Sequence, residues 1–427
     1  MKKLYKCTFA VLALTFSITV SAQLIPGVLV LNEGNFGVDN AGISFIGGGQ
    51  SYADLFADVN GTTPLGNTAQ SMAFDGDKAY VVLNGSNDLK VLNRQTLSLS
   101  AIMQNGLSNP RHIVIDNGNA YVTCWADAGN PNDDYVAVIH LLSMSITRNI
   151  PAPEGVERII KSGDKLYVAH QGGYGFGNMV SVIDIATNAI TATIETGDVP
   201  NSIIAQDGVL YVLCGGKPSW SGSETAGKLM KFNLSDNSLI SEINFEGHPS
   251  NLEIYGDYLI FSIDTDVYKI TLNDTALPEN PIFSVEEAGV YGIYGMDLIG
   301  DKIYVADAGD YVAPGKALVY SINGEFEASY PVGRLPNGFY EGEIQMLATE
   351  NPNAMVSVSV YPNPTADRFF MNTDQQAAIK MYDISGRLVK TTTYKTSGID
   401  VSDLNSGIYI VEITINDQKS SKRLSVK

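Results

Sequence analysis

An all-β chain made of seven copies of one multi-stranded unit is the fold this sequence predicts, and three observations predict it. A tight polar turn followed by a short Tyr-Val strand recurs along most of the chain. The recurrences are spaced by 41 to 48 residues, and no helical period interrupts them. A period near 45 with several short strands per unit is the mark of a β-propeller. The expected architecture is therefore a seven-bladed β-propeller closed by a C-terminal strand, followed by a small antiparallel β-sandwich.

The copies read Asp-Gly-Asp-Lys-Ala-Tyr80-Val-Val, Asp-Asn-Gly-Asn-Ala-Tyr121-Val-Thr, Ser-Gly-Asp-Lys-Leu-Tyr167-Val-Ala and Gln-Asp-Gly-Val-Leu-Tyr211-Val-Leu. Tyr-Gly-Asp-Tyr-Leu259-Ile-Phe-Ser and Ile-Gly-Asp-Lys-Ile-Tyr304-Val-Ala follow. A first copy, Gly27-Val-Leu-Val-Leu-Asn, matches the strand but lacks the preceding turn, which makes seven. Within the third copy the apolar, β-branched runs predict four strands, over 111–116, 120–124, 136–141 and 146–150. The first copy has no innermost strand of its own. After the seventh, Leu335-Pro-Asn-Gly-Phe-Tyr repeats the junction seen at Leu107-Ser-Asn-Pro-Arg-His, so the following residues 343–348 are expected to supply it. That closure removes an unpaired edge. Cys124 and Cys214 fall on second strands a whole blade apart, beyond the ~7 Å that a disulfide spans, and are expected to be free.

The N-terminus predicts export. Lys2, Lys3 and Lys6 precede an apolar run from Phe9 to Val20, and Val20-Ser21-Ala22 gives the small residues of a cleavage site. Residues 1–22 are read as a signal peptide, 23–349 as the propeller and 350–427 as a separate domain. Cys7 precedes the apolar run, so it is not a lipidation site, and no later segment is long and apolar enough to cross a membrane. Residues 23–350 carry 15 basic against 39 acidic groups, a net of −24, while residues 351–427 carry a net of +2. So acidic a surface repels nucleic acid and excludes it as a partner.

In a four-stranded blade the second-to-third loops and the crossings between blades share one face. Here those segments are long, glycine-rich and aromatic, and both tryptophans of the chain lie in them. Long loops on a rigid scaffold are where binding residues sit. Aromatic rings among Gly, Asn and Asp offer apolar area and hydrogen bonds together. The candidate ligand-binding residues are Asn32, Asn35 and Phe36 from the first loop, Arg111 and Trp125, Arg158, and Tyr174, Phe176 and Asn178. Trp220, Tyr291, Tyr294, Tyr311 and Phe339 complete the set. The competing reading is that each ring packs beneath its own loop.

Catalytic signatures are sparse. His112, His140, His170 and His248 have no close pairing of the kind a zinc site uses. No nucleophile elbow, phosphate loop or dinucleotide fingerprint occurs. No cofactor is expected. Calcium is considered at Asp307, Asp310 or three carboxylates expected to face the channel, Glu33, Glu157 and Asp297, although no EF-hand spacing is present.

From about Asn351 the pattern changes to Tyr361-Pro-Asn-Pro, then Gly386-Arg387, then Leu404-Asn-Ser-Gly407-Ile-Tyr409, then a basic end. These motifs in this order resemble the type A C-terminal sorting domain of the Bacteroidetes type IX secretion system. The resemblance implies passage through the periplasm, handling by the type IX machinery, and a secreted or cell-surface destination in a Gram-negative bacterium. The Tyr-Val repeats resemble the YncE-like, surface-layer-type propellers. The opening Leu31-Asn-Glu-Gly-Asn-Phe-Gly-Val resembles a Bacteroidetes propeller group whose relatives include surface proteins that capture vitamin B12 for an outer-membrane transporter. These resemblances imply a non-catalytic binding protein, with cobalamin as the sharpest ligand candidate and a transporter as a partner. A metal-dependent propeller lactonase or lyase, and a surface-layer or adhesion protein binding glycan or protein, are the alternatives.

Overall fold

The computed structural model describes residues 22–347 except 128 and 174, and residues 360–427 except 372, 374–375, 384–385, 396–397 and 416–417. The expected leader, Tyr174 and the end of the expected closing strand at Ala348 lie outside the described residues. Two compact units emerge, Leu24–Gln345 and one that holds Met346–Lys427. Among the described residues no helix is long and apolar enough to cross a membrane.

The first unit is all-β, with repeated four-stranded sheets. Six are formed by consecutive antiparallel strands. The third is typical: Pro110–Asp116, Asn119–Cys124, Tyr135–His140 and Ser145–Pro151, each within one or two residues of expectation. A seventh sheet is ordered Pro336–Leu347, Ala22–Asn32, Gly42–Gly47 and Gln50–Tyr52. Its first strand comes from the far end of the unit and begins seven residues before the expected 343. That strand also reaches two other sheets: the Phe339 amide donates to Asp297 Oδ2 at 2.7 Å, and Tyr340 accepts from the Met72 amide at 3.0 Å.

The anchor tyrosines recur because each is the mortar between sheets. Tyr80 packs with Ala120 and Val122 of the next sheet, Tyr121 with Leu166 and Val168, and Tyr167 with Leu210 and Val212. Tyr211 does the same against Leu259 and Phe261. Neighbouring residues on the same strand point back toward the preceding sheet, so both faces of every second strand are buried, each large side chain contributing about 1.5–3 kcal/mol. This packing corrects one register. Tyr258–Ile263 is the sixth second strand, and its third residue, equivalent to the tyrosines, is Ile260 rather than Leu259. Ile260 packs forward onto Ile303 and Val305.

A six-residue helix, Leu55–Asn60, departs from the expected all-strand pattern. The Asp54 carboxylate caps it by accepting from the Ala57 amide, Leu55 and Phe56 are buried, and Asn60 holds the Leu97 carbonyl and the Leu99 amide at 2.9 Å. Six residues are too few to display a period, so the sequence concealed it.

Five junctions share a backbone device. Thr68, Asn109, Gly155, Val199 and Leu335, each just before the first strand of a sheet, have φ between +48° and +80°. For β-branched Thr68 and Val199 this is a sparsely populated conformation that the surroundings must enforce. The carbonyls of four of them accept from the residue just past the second strand: Asn84, Trp125, Gly215 and Glu33, at 2.8 to 3.1 Å, and Gly155 accepts from Gly172 at 3.3 Å.

Cys124 and Cys214 are free and buried, and burial pushes both thiols up to about 12.

In the second unit a sheet of Leu388–Tyr394, Ala377–Asp383, Gly407–Ile415 and Gln418–Val426 adjoins a smaller one of Val360–Tyr361, Arg368–Met371 and Ile399–Asp400. Their inner residues share one core that includes Phe369, Ile379, Met381, Val411 and Leu424. The motifs explain themselves here. Asn363 clamps the last strand through Arg423 O at 2.7 Å and the Ser425 amide at 2.9 Å, and Tyr409 donates to Asn405 O at 2.7 Å.

Candidate functional site: an aromatic cleft between two loops

Two second-to-third loops frame the most built cleft of the first unit. Gln171–Gly177 leaves the fourth sheet, and Gly215–Gly227 leaves the fifth. Their roots are fixed by the Val199 junction, where the Gly215 amide donates to Val199 O at 2.8 Å and the Gly216 amide to Asp198 O at 2.9 Å. The longer loop is braced from within. Thr225 Oγ1 donates to Asp198 Oδ2 and accepts from the Lys217 amide, and Lys217 Nζ lies 3.4 Å from Asp198 Oδ1. In the shorter loop Gly172 has φ +112°, and a Cβ there would sit 2.3 Å from Gly177 N. Only glycine fits so close an approach.

Phe176 and Trp220 meet across the gap with ring centroids 5.6 Å apart at 47°. Trp220 stands on a one-turn 3-10 segment, Ser219–Ser221, and is 80% exposed. Beneath the rings lies a cleft of about 500 Å³ lined by Gln171, Val199, Asn201, Pro218, His248 and Ser250 as well as by loop glycines. His248 Nδ1 faces Gly215 O at 2.8 Å, so that nitrogen carries hydrogen, and Nε2 lies 3.3 Å from Glu224. Asn201 donates to Pro249 O, while its own oxygen has no partner. The site thus couples one large uncovered aromatic plate to a neutral polar floor. Such clefts, apolar with a few placed polar groups, are where small ligands bind.

The remaining candidates are not gathered into this cleft. Trp125 is half-buried: its Nε1 donates to Val156 O at 2.8 Å, and the Arg111 guanidinium stacks 4.0 Å above its ring. Arg111 grips Glu157 with two hydrogen bonds of 2.9 Å, and His112 lies 3.2 Å from the same carboxylate. Burial raises the Glu157 carboxyl, but the Arg111 charge and the His112 hydrogen bond outweigh it and hold it at about 2. His112 is pressed down to about 4 by burial and by the charge of Arg158. This cluster is a structural lock. Gly173 joins the two regions, since it lines the cleft while lying against the Trp125 ring.

A second aromatic group forms where the first and last loops touch. Asn35 Nδ2 donates to Tyr311 O at 3.0 Å, Tyr294 and Tyr311 meet edge-on at 5.8 Å, and the Tyr294 hydroxyl donates to Glu33 at 2.6 Å. Phe36 and Tyr291 are exposed, and Asn178 is exposed on its loop rim. Two expectations are corrected. Asn32 is fully buried, its amide spent on Val30 O, Gly42 O and Ser44 Oγ, and Phe339 is buried against Tyr304. Neither offers a ligand any surface.

A small polar cavity of about 130 Å³ is lined from the first strands of six of the sheets or the residues just before them, together with Glu33, which follows the strand Ala22–Asn32. Glu33 and Asp297, two of the three carboxylates considered for the channel, line it together with Arg158, whereas Glu157 is held by Arg111 and His112. Burial raises the carboxyls of Glu33 and Asp297, and that of Glu253 beside Asp297 well above the usual range. Asp307 and Asp310, considered for calcium, accept from backbone amides of their own turn. Among the described residues no group of three or more His, Cys, Asp or Glu is arranged to hold a metal.

Sequence reasoning missed Gln171, Asn201, His248 and Ser250 as partners of one cleft. The signal was available for two of them, since Pro200-Asn201 and His248-Pro249 repeat the junction pattern recognised at Leu335-Pro336-Asn337.

The fold and the site together define an exported, β-propeller-like protein with a loop-borne cleft. A structure at TM-score 0.57 supports the fold: a quinoprotein alcohol dehydrogenase-like protein of Bacteroides thetaiotaomicron, 17% identical, over 74% of this chain and 78% of that one. BamB of Moraxella catarrhalis is also similar, with 15% identity, TM-score 0.44, and 72% and 84% coverage. The chain belongs to the family described as "Domain of unknown function (DUF5074)", whose model matches residues 26–306. Residues 359–427 match the model described as "Secretion system C-terminal sorting domain". That domain marks a protein sent by type IX secretion to the cell surface or beyond. Among curated proteins, an ulvan lyase of Nonlabens ulvanivorans is 36% identical over 70 residues, 15% of this chain. The chain spans only 13% of that relative.

Proposed function

We propose that the protein is a non-catalytic binding protein whose seven sheets are the blades of a closed, YncE-like propeller, carried outside the cell to capture a small ligand in the Phe176–Trp220 cleft. Ring closure is supported by the strand Pro336–Leu347, which sits in the first sheet while bonding to the second and the last, and by the cavity lined from six sheets. The observation that carries the binding function is the exposure of Trp220. An indole held 80% exposed on a braced loop, meeting Phe176 at the edge of the cleft, leaves most of its face to water, and covering it with a ligand's apolar face is favourable.

Cobalamin remains the specific candidate offered by the resemblance, with an outer-membrane transporter as its onward partner. Among the described residues, Phe176 and Trp220 are the candidate rings that meet over the cleft. Lyase chemistry draws little from the ulvan lyase match, which covers 15% of this chain and 13% of that relative.

The test is a titration read by tryptophan fluorescence and calorimetry. In a Trp125→Phe variant Trp220 is the sole tryptophan. Cyanocobalamin and a panel of neutral glycans should be titrated into it. A saturable change of Trp220 emission by any of them, lost in Trp220→Ala, supports the reading. Silence from the whole panel removes it.

A further inference from the structure

We infer that the cleft takes a neutral pyranose ring of an extracellular glycan; this rests on the binding function proposed above and names its ligand class. Three observations carry it. The first is the shape of the aromatic surface. Trp220 offers an open face, and Phe176 at 47° and 5.6 Å closes one side only. A flat aromatic ligand would favour two facing plates, whereas a saturated ring needs one plate for its axial C–H groups and free space around its rim.

The second is the chemistry of the rim. His248 Nδ1–H is committed to Gly215 O, and Nε2 reaches the Glu224 carboxylate at 3.3 Å. Gln171 brings an amide able to donate and accept to the lining, and the Ser250 hydroxyl beside it is already bonded to Ser262 and Asn251. A ligand rich in hydroxyls, each both donor and acceptor, satisfies such a set. Burying those groups against an apolar ligand would leave them unpaired, at a cost.

The third is charge. Among the described residues no lysine or arginine lines the cleft. Lys217 nearby is paired with Asp198, and residues 23–350 carry a net of −24. A sulfated or uronate-rich polymer would meet repulsion without a compensating cation, so the sugar is uncharged.

Affinity electrophoresis of the purified protein in gels containing dextran, galactomannan, xyloglucan or a sulfated galactan tests this, alongside titration with the methyl pyranosides. Retardation by at least one neutral polymer is expected, together with free migration in the sulfated one. Trp220→Ala should weaken retention at least tenfold, and Trp125→Phe should retain it. A methyl pyranoside that competes at millimolar concentration would assign recognition to one ring; competition by oligosaccharides alone would assign it to a chain. Absence of retardation on every neutral polymer and of any response to the pyranosides, while cyanocobalamin still perturbs Trp220, overturns the sugar and leaves the binding cleft standing. Silence from all probes overturns both. Equal retention by Trp220→Ala, with an unchanged unfolding midpoint, places the glycan elsewhere and also overturns the inference.

Discussion

Trp125 and Trp220 are the two tryptophans of the chain, both on second-to-third loops and both touching the rim around Gly173, yet they have opposite employment. Trp125 has its nitrogen bonded to a carbonyl and its face covered by a guanidinium. Trp220 rests on a short turn with most of its surface in water. The difference teaches that residue type and loop position select candidates, while the partners a side chain already has decide which candidates remain free to bind.

The largest effect should come from breaking the lock over Trp125. Arg111→Ala strands the buried Glu157 carboxylate with His112 alone and uncovers the indole, for an expected loss of about 3–5 kcal/mol; urea unfolding measures it. Trp125→Ala should cost roughly 1–3 kcal/mol by the same assay, less than a fully buried aromatic, because the ring is half-buried. A loss below 1 kcal/mol would mean that Trp125 is as uncommitted as Trp220, and the contrast would collapse.

Acid should reveal the same lock. His112 has a folded value of about 4 against 6.5 ordinarily, so the unfolded chain binds its proton first. Its contribution is full above 6.5 and is lost as pH falls toward 4, on the order of 3 kcal/mol. The Glu157 contribution is full above 4.5 and goes as pH falls from there toward 2. Midpoints measured from pH 7.5 to 4.5 should therefore decline, and His112→Gln should flatten that decline. Smallest of all, Trp220→Ala should change stability by no more than about 0.5 kcal/mol, because an exposed ring leaves no cavity.

Much of this was legible before any coordinates. Turn chemistry and the Tyr-Val repeat placed the strands of the third sheet within two residues, because a β-branched run between tight polar turns has few alternatives. The Leu259 register failed because Tyr258-Leu-Ile-Phe is apolar throughout and carries no marker for which residue points forward. The capped helix at Leu55 had only Asp54 to announce it. At the binding face, the sequence named Phe176 and Trp220 but placed Asn32 and Phe339 beside them, since nothing local tells that one amide is consumed by Ser44 or that one ring turns toward Tyr304. Facing direction is a property of the neighbours.

The left-handed junction residues have a wider implication. Because Asn109, Gly155, Val199 and Leu335 each fasten the root of a long loop to the strand entering the same sheet, and Thr68 does so for a four-residue turn, what lies beyond the fastening can lengthen, shorten or change composition without retuning the sheets. The molecule is in this sense a chassis with interchangeable heads. A single pair of loops, such as those bearing Phe176 and Trp220, can be rewritten for a new cargo while the sheets that carry them keep the same framework.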